Sequence, residues 1–443
     1  MALISKGYES YFIAGQQLVA WETAAAAMRA YIYEPVSFTL KGTGDNIVPN
    51  RFMRNASPAR PVKNFIGAEG AINMHLHAED MLLFWKYILN DDEIGSVNFT
   101  PLEVYGNGAG VGKAWTTAVS PLDTQPSATV PSSAPGKLVC TLGAADSGTL
   151  VISGTNWGDQ AISETLTFAA EAGPKTTTAY FKTVNAGGLV GAAIDDQTLL
   201  IMCDRNIYTH TIQVKDALLY GLTIEAVMGG LPSVFIGTML SSGSLAVSDL
   251  VTLSINAIAQ RVYDRYKYAA SATPTVSDTP TDVSGYTAIS DLVYPAWSIE
   301  VDFDSSGTPT PVGGMTFNFN NNLGYPTRLS GIRTNPQPVR TANRDISIVV
   351  PVDYASDAQQ WVHKFLNLDD VIVTLTMSTV ESSGALRTTT INMPRTSISA
   401  FPSPEASDYS EIMSSLEFRP IRTIGAVAAD ELTVVVESIE AAI

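Results

Sequence analysis

The histidines are the first candidates for chemistry, and there are four: His75, His77, His210 and His363. His75 and His77 lie two apart in GAINMHLHAED, which alternates as a strand does, so both imidazoles fall on one face and could grip a metal ion. No Cys or carboxylate at ligand spacing completes such a site, although Glu79 and Asp80 follow closely. A pair of strand-face imidazoles at a subunit contact or in solvent is the plainer reading, and no metal is assigned. The glycine run YGNGAGVGKAW (105–115) suggests a phosphate cradle. It has Asn107 where a Walker loop needs Gly, Ala114 where it needs Ser or Thr, and Val111 at the third glycine of a dinucleotide fingerprint. It reads as a flexible loop. There is no G-x-S-x-G elbow for a serine nucleophile. Acidic pairs such as Asp195–Asp196 and Asp369–Asp370 carry no signal in a chain with 43 acidic residues. The expectation is a protein with no enzyme activity and no cofactor.

A different polar pattern is more informative. In WSIEVDFDSSG (297–307), Glu300, Asp302 and Asp304 alternate with Ile299, Val301 and Phe303. In MTFNFNNNLG (315–324), Asn318, Asn320 and Asn322 alternate with Phe317 and Phe319. Paired as a hairpin, the two strands would carry carboxylate and amide outside and aromatics inside. An ordinary solvated sheet face has the same pattern. Yet acids at alternate positions repel one another, a cost that a surface slippery to a polyanion would accept. Carboxylates repel phosphates within ~8–10 Å, whereas each Lys or Arg adds a salt-dependent anchor. Glu300, Asp302, Asp304, Asn318 and Asn320 are therefore candidates for lining a channel, with the solvated face as the alternative.

These strands belong to a chain rich in strand signals. Val, Ile, Thr, Phe and Tyr recur in short alternating runs broken by Gly, Pro, Asn, Asp and Ser. Two amphipathic helices stand out. One is about 78–90, with Met81, Phe84, Trp85, Ile88 and Leu89 on one face; the other is about 355–367, with Ala358, Trp361, Val362, Phe365 and Leu366. The alanine content of 16–31 suggests a third. The segments 61–90 and 338–367 match in order, Pro-Val-basic, alternating stretch, helix, Leu-Asn. The segments 218–262 and 371–423 follow them in the same order, which predicts two similar domains packed side by side.

The first copy is interrupted. Residues 114–136 are a Pro/Ser/Thr-rich linker, and KLVCTL, GTLVISGTN, AISETLTFAA, TTAYFKTV and QTLLIMCD read as about five short strands of a small, immunoglobulin-like β-sandwich without the Cys-Trp-Cys pattern. The predicted organisation is 1–113 and 206–268 for the first domain, 114–205 for the linker and inserted sandwich, and 269–443 for the second domain, with 267–292 linking the repeats. At 443 residues and 45% apolar content the chain can bury several cores. Its net charge of −17 argues against gripping nucleic acid by its phosphates, though not against letting it pass. Cys140 and Cys203 rule out a disulfide framework and read as buried thiols, although the two could approach one another. No signal-peptide core opens the chain. The apolar stretch 217–240 has Glu225, Gly229, Gly230 and Pro232 at its centre, so it reads as two strands around a turn in a soluble protein and not as a membrane span.

Taken in order, these segments resemble the tail tube proteins of long-tailed bacteriophages. The likeness is carried by GYESYF, GAINMHLHAEDMLLFWKYIL, PSVFIGTMLSSGSLAVSDLVTLSINAIAQRV and, most fully, the last third from SIEVDF through FNFNNNLG and RDISIVVPVDYASDAQQWVHKFLN to LTVVVES. It covers most of the chain except about 114–205. The resemblance implies a mainly β fold: two tandem tail-tube β-sandwich or barrel domains, each with a flanking helix, plus the inserted sandwich on the outside. It implies neighbouring domains that join sheets edge to edge around a channel, and rings that stack into a tube delivering the genome. Single-domain members form hexameric rings, so a duplicated chain implies a homotrimeric pseudo-hexamer. The implied partners are copies of itself and other tail proteins (tape measure, terminator, distal tail), with DNA passing unbound and no membrane insertion. The implied location is the virion tail, after assembly in the host cytoplasm. Another tail ring component, distal or terminator, is the alternative within this class. A glycan-binding surface adhesin using the inserted sandwich is the alternative outside it, and a hydrolase using paired carboxylates is a further one.

Overall fold

A computed structural model describes residues 10–438 apart from 18–20, 48–61, 99–103, 106–127, 130–135, 193–198, 204–207, 270–273, 326–335, 381–385, 401–403, 406–412, 422–430 and shorter gaps. The glycine run at 106–115 and the pair Asp195–Asp196 lie outside the described residues. The chain forms two compact units. One comprises Met1–Ile94, Thr211–Met377 and Thr390–Val435; the other comprises Gly95–His210, Ser378–Thr389 and Val436–Ile443.

The first unit is built on antiparallel strands: β1 (Tyr11–Gln16), β2 (Ser37–Phe38), β3 (Lys41–Thr43), β4 (Gly67–His75), β5 (Leu222–Met228), β6 (Leu231–Val247), β7 (Val251–Ala259), β8 (Arg261–Asp264), β9 (Ile299–Phe303), β10 (Thr316–Asn320), β11 (Asp345–Asp353), β12 (Val371–Val380), β13 (Leu386–Ile398) and β14 (Met413–Pro420), with the end of β12 and the start of β13 counted in the other unit. Its helices are α1 (Leu82–Leu89), between β4 and β5, and α2 (Tyr354–Asn367), between β11 and β12. The stretch 217–240 is the predicted pair of strands, β5 and the start of β6, turning at Gly229 and Gly230, both at positive φ where glycine is unstrained. No helix among the described residues is long and apolar enough to cross a membrane.

β6 does two jobs along its length. Its first half pairs with β5 and β8, and its second half with β7 and β10. The change of partners falls at Gly237, with φ +66, and at a register shift around Ser241. A Cβ at Gly237 would meet Gln260 and Trp21 at 3.0 Å, so both conformation and space require glycine there.

α1 starts at Leu82 and not at 78, because Leu76 and Ala78 still donate sheet-type backbone bonds to Val251 (2.9 Å) and Leu292 (2.7 Å). α1 is buried on all sides, and Phe84 meets Tyr33 (5.2 Å) and Phe12 (6.1 Å) edge-on. α2 buries Trp361 against Phe303 (4.8 Å) and Phe418 (5.8 Å). The third helix is absent from the described part of 16–31. There Gln16 ends β1, the Ala25 amide donates to Thr223 Oγ1 (2.8 Å), and Arg29 N–H bonds Ala14 O (2.9 Å). Those backbone groups are committed to neighbouring strands, which overrides the helical propensity of alanine. The linker predicted at 267–292 is fastened down. Buried Glu225 accepts bonds from the Tyr268 amide (2.6 Å), the Thr281 amide (2.9 Å) and the Thr281 hydroxyl (2.6 Å).

The second unit contains two four-stranded antiparallel sheets. Strands 128–129, 183–192, 146–155 and 161–171 form one in that order; strands 175–181, 136–142, 199–203 and 104–105 form the other. Glu164 ties them together, accepting from Thr178 N–H (2.7 Å), Thr178 Oγ1 (2.9 Å) and Ala179 N–H (2.8 Å). Cys140 is buried, and burial first, with the Glu164 carboxylate second, pushes its thiol pKa up to about 12.

Candidate functional site

Six strands of the first unit run side by side, β4–β7–β6–β10–β11–β14, paired antiparallel at every junction. Alternation along each strand sends one set of side chains inward. Ile72, Met74, Leu253, Ile255, Leu245, Phe317, Phe319, Ile348, Val350, Leu416 and Phe418 are all buried. The opposite face is a field of small polar groups in register across the strands. One row reads Asn73–Ser254–Ser244–Asn318–Ser347, and the next Ala71–Asn256–Ser242–Asn320–Asp345. A third reads His75–Thr252–Ala246–Thr316–Val349–Glu417. Side chains bond laterally, Asn73 Nδ2 to Ser37 Oγ (2.7 Å) and Asn256 Nδ2 to Ser242 Oγ (3.1 Å).

Charge on this face collects toward its borders. Glu69 stands across from Lys41 of β3 at one side. At the other, Arg419 is held between Asp345 (3.2 Å) and Glu417 (2.9 Å), while Glu417 also accepts the Ser399 hydroxyl (2.6 Å). The Ser399 hydroxyl first, and then the Arg419 guanidinium and Ser347, hold the Glu417 carboxyl below the usual glutamate range. Arg419 thus reaches the face already paired with two carboxylates.

The sequence-predicted residues separate into two groups. Asn318 and Asn320 sit at the centre of the polar field, and Phe317 and Phe319 lie beneath it as expected. Glu300 and Asp302 do not share a hairpin with them, because β9 pairs with β12, setting Glu300 across from Thr376 and Asp302 across from Thr374. Phe303, on the inner side of β9, meets Phe418 on the inner side of β14 at 5.2 Å. Glu300 and Asn318 therefore stand on opposite outsides of a two-layered core. Asp302 builds its own turn, accepting from Ser306 Oγ (2.6 Å) and the Ser306 (3.1 Å) and Gly307 (3.0 Å) amides; the Ser306 hydroxyl leads in holding its pKa down. Asp304 lies past the strand at φ 57 and pairs with Lys364 of α2. Asn322 has likewise left the strand, at φ 49.

His75 keeps its place on the polar face opposite Thr252, and the described residues include no cluster of three metal-binding side chains. Ser242, Ser244, Ser254 and Asn256 were not singled out from sequence. Their signal was present in the alternation of SSGSLAVSDLVTLSINAI, where Ser242 and Ser244, and then Thr252, Ser254 and Asn256, stand at alternate places.

The described residues define a mainly β protein whose distinguishing feature is this six-stranded sheet face of small polar groups. More narrowly, a family model described as phage tail tube protein matches residues 13–420, and the chain belongs to that family. It is a structural, non-enzymatic component of the virion tail, and membership implies assembly with itself and with other tail proteins. No curated protein matches the chain.

Proposed function

We propose that this chain is the major tail tube protein, that its polar six-stranded face is the wall of the genome channel, and that three copies close each ring as a pseudo-hexamer. The observation carrying this is the junction of β6 with β10, which makes one uninterrupted polar sheet from two halves built alike. In the first half β1 pairs with β5, β2 and β3 with β4, and β4 with β7. In the second, β9 pairs with β12, β10 with β11, and β11 with β14. Lys86–Asp91 and Lys364–Asp369 end their helices in the same way, which sets the repeat one residue away from the overlay that aligns Leu-Asn with Leu-Asn. The two halves are a duplication on this reading, so that each chain contributes two sectors of the ring.

Asn318 and Asn320 line the bore. Glu300, Asp302 and Asp304 face away from it, on the outer layer. A wall of serine, threonine and asparagine offers DNA phosphates only the weak, water-like bonds that solvent offers. Its arginine is tethered between two carboxylates, and Lys41 at the border stands across from Glu69, so each cation on the wall has a carboxylate opposite it to weaken its hold on phosphate. The inserted unit is an immunoglobulin-like decoration outside the tube. Electron microscopy of purified, concentrated protein tests this: hollow tubes built from rings of three chains are expected, and a monomer that persists overturns it. A tube present in many rings per particle separates this assignment from a distal or terminator ring.

A further inference from the structure

The two helices end alike but are covered differently. In α1 the Asp91 amide bonds Lys86 O (3.1 Å) after Asn90 at φ 60; in α2 the Asp369 amide bonds Lys364 O (2.9 Å) after Leu368 at φ 56. This match sets Ile88 against Leu366 and Asn90 against Leu368. Ile88 is 1% exposed and Asn90 2%, whereas Leu366 is 64% exposed and Leu368 81%.

The cover on α1 has an identifiable source. Asn321, the residue after β10, donates from Nδ2 to Ile88 O (3.1 Å) and Leu240 O (3.0 Å), and its amide donates to Ser241 O (2.8 Å). Phe317 of β10 lies against Trp85 at 6.4 Å. The strand that docks on the edge of β6 therefore also closes over the end of α1. The same docking edge recurs in the second half. Ser241 Oγ bonds Asn256 O (2.9 Å), and Ser399 Oγ bonds Glu417 O (3.3 Å), so Ser399 repeats the irregularity at Ser241. Buried Thr238 and Leu240 then correspond to buried Thr396 and Ile398. Among the described residues, no strand takes β10's place beside Ser399.

The piece that corresponds to β10 is β2–β3. It pairs with β4 as β10 pairs with β11, with Leu40 buried like Phe317 and Lys41 outward like Asn318. Both strands pair with β4 alone among the described residues. We propose that the exposed end of α2, with Leu366 and Leu368, and the strand edge at Ser399 receive the Ser37–Thr43 edge of a second copy. The contact between chains would repeat the one that β10 makes with β6 and α1 within a chain. This rests on the duplicated, ring-forming reading above. The surface is heterologous, so it can close a ring, and covering two exposed leucines supplies the driving force that an edge of bare backbone lacks.

Two experiments test it. The first replaces Leu366 and Leu368 together with Asp. Both are exposed in the single chain, so far-UV circular dichroism and thermal midpoint should match wild type. The critical concentration for tube formation should rise by at least about tenfold. The second places cysteines at Thr43 and Ala400, which correspond to the cross-strand pair Asn320 and Ser242. Mild oxidation should link chains into covalent multimers, and a Thr43–Thr376 cysteine pair should not. Tubes from wild type together with undiminished tubes from the aspartate variant, or no cross-linking in tubes of the cysteine variant, overturn this docking surface and leave the tube reading standing. No tubes from wild type overturn both.

Discussion

At the scale of residues, alternation revealed that a strand had two faces but not which layer of the molecule it joined. Asn318 and Glu300 look equivalent as sequence, each one of a run of polar residues alternating with aromatics or aliphatics. They part company because β10 pairs with β6 and β11 while β9 pairs with β12, and long-range pairing leaves no local trace. The difference is open to test. Asn318→Lys with Asn320→Lys should assemble but slow DNA ejection, more so as salt is lowered, because each new ammonium offers phosphates an anchor. Glu300→Lys, on the other layer, should leave ejection at the wild-type rate. Equal slowing by both would place both sets in the bore. Arg419 extends the same logic. Asp345→Asn with Glu417→Gln frees its guanidinium and should slow ejection, measured as the rate of DNA release at low salt. The Glu417 pKa is lowered in the folded chain, so its ion pair and hydroxyl bond contribute at neutral pH. That contribution fades as pH falls below the ordinary glutamate value of ~4.3. At this exposure it is worth less than about 1 kcal/mol, read as a stability gap between wild type and Glu417→Gln that closes in acid.

At the scale of elements, the legible parts were those whose signal is local. α2 and the turn at Gly229–Gly230 lie where periodicity and turn residues place them. The start of α1 and the proposed helix at 16–31 did not, because their backbone groups are claimed by distant strands at Val251, Leu292 and Thr223. The long β6 was read as a hairpin arm, while its change of partners at Gly237 was not seen. A single glycine within an apolar run has many readings. Asn321 shows how much one distant residue can hold together. It is fully buried, its amide nitrogen serves the Ile88 and Leu240 carbonyls, and its Oδ1 accepts from Arg344 Nε at 2.9 Å. Asn321→Ala strips these groups of their partner where water cannot replace it. The expected loss is about 2 kcal/mol or more in a denaturant titration, since each unsatisfied buried group costs about 1–3 kcal/mol. Trp85→Ala should cost more, about 3–5 kcal/mol, because its side chain is fully enclosed in the α1 core.

At the scale of the whole molecule, the second compact unit, most of it within 95–210, is the feature that most tests the proposed division of labour. A wall element must supply strands to the shared polar sheet. The ladders of this unit's two four-stranded sheets are made between strands that all lie within 104–203, and Glu164 binds the two sheets together. None of the strands carrying the polar rows lies inside that interval. The entry and exit of its central hairpins are also close, since Leu138 and Cys203 are direct cross-strand partners. Excising about 137–205 therefore needs only a short glycine-rich bridge, with little loop-closure cost. The shortened chain should still form tubes of the same bore and the same repeat along the axis, thinner only at the outer radius, as measured by electron microscopy. Loss of tubes from a chain that still shows the far-UV spectrum of a folded β protein would make the inserted unit part of the wall or of the contact between rings. An unchanged outer radius would mean that the unit does not project from the tube at all.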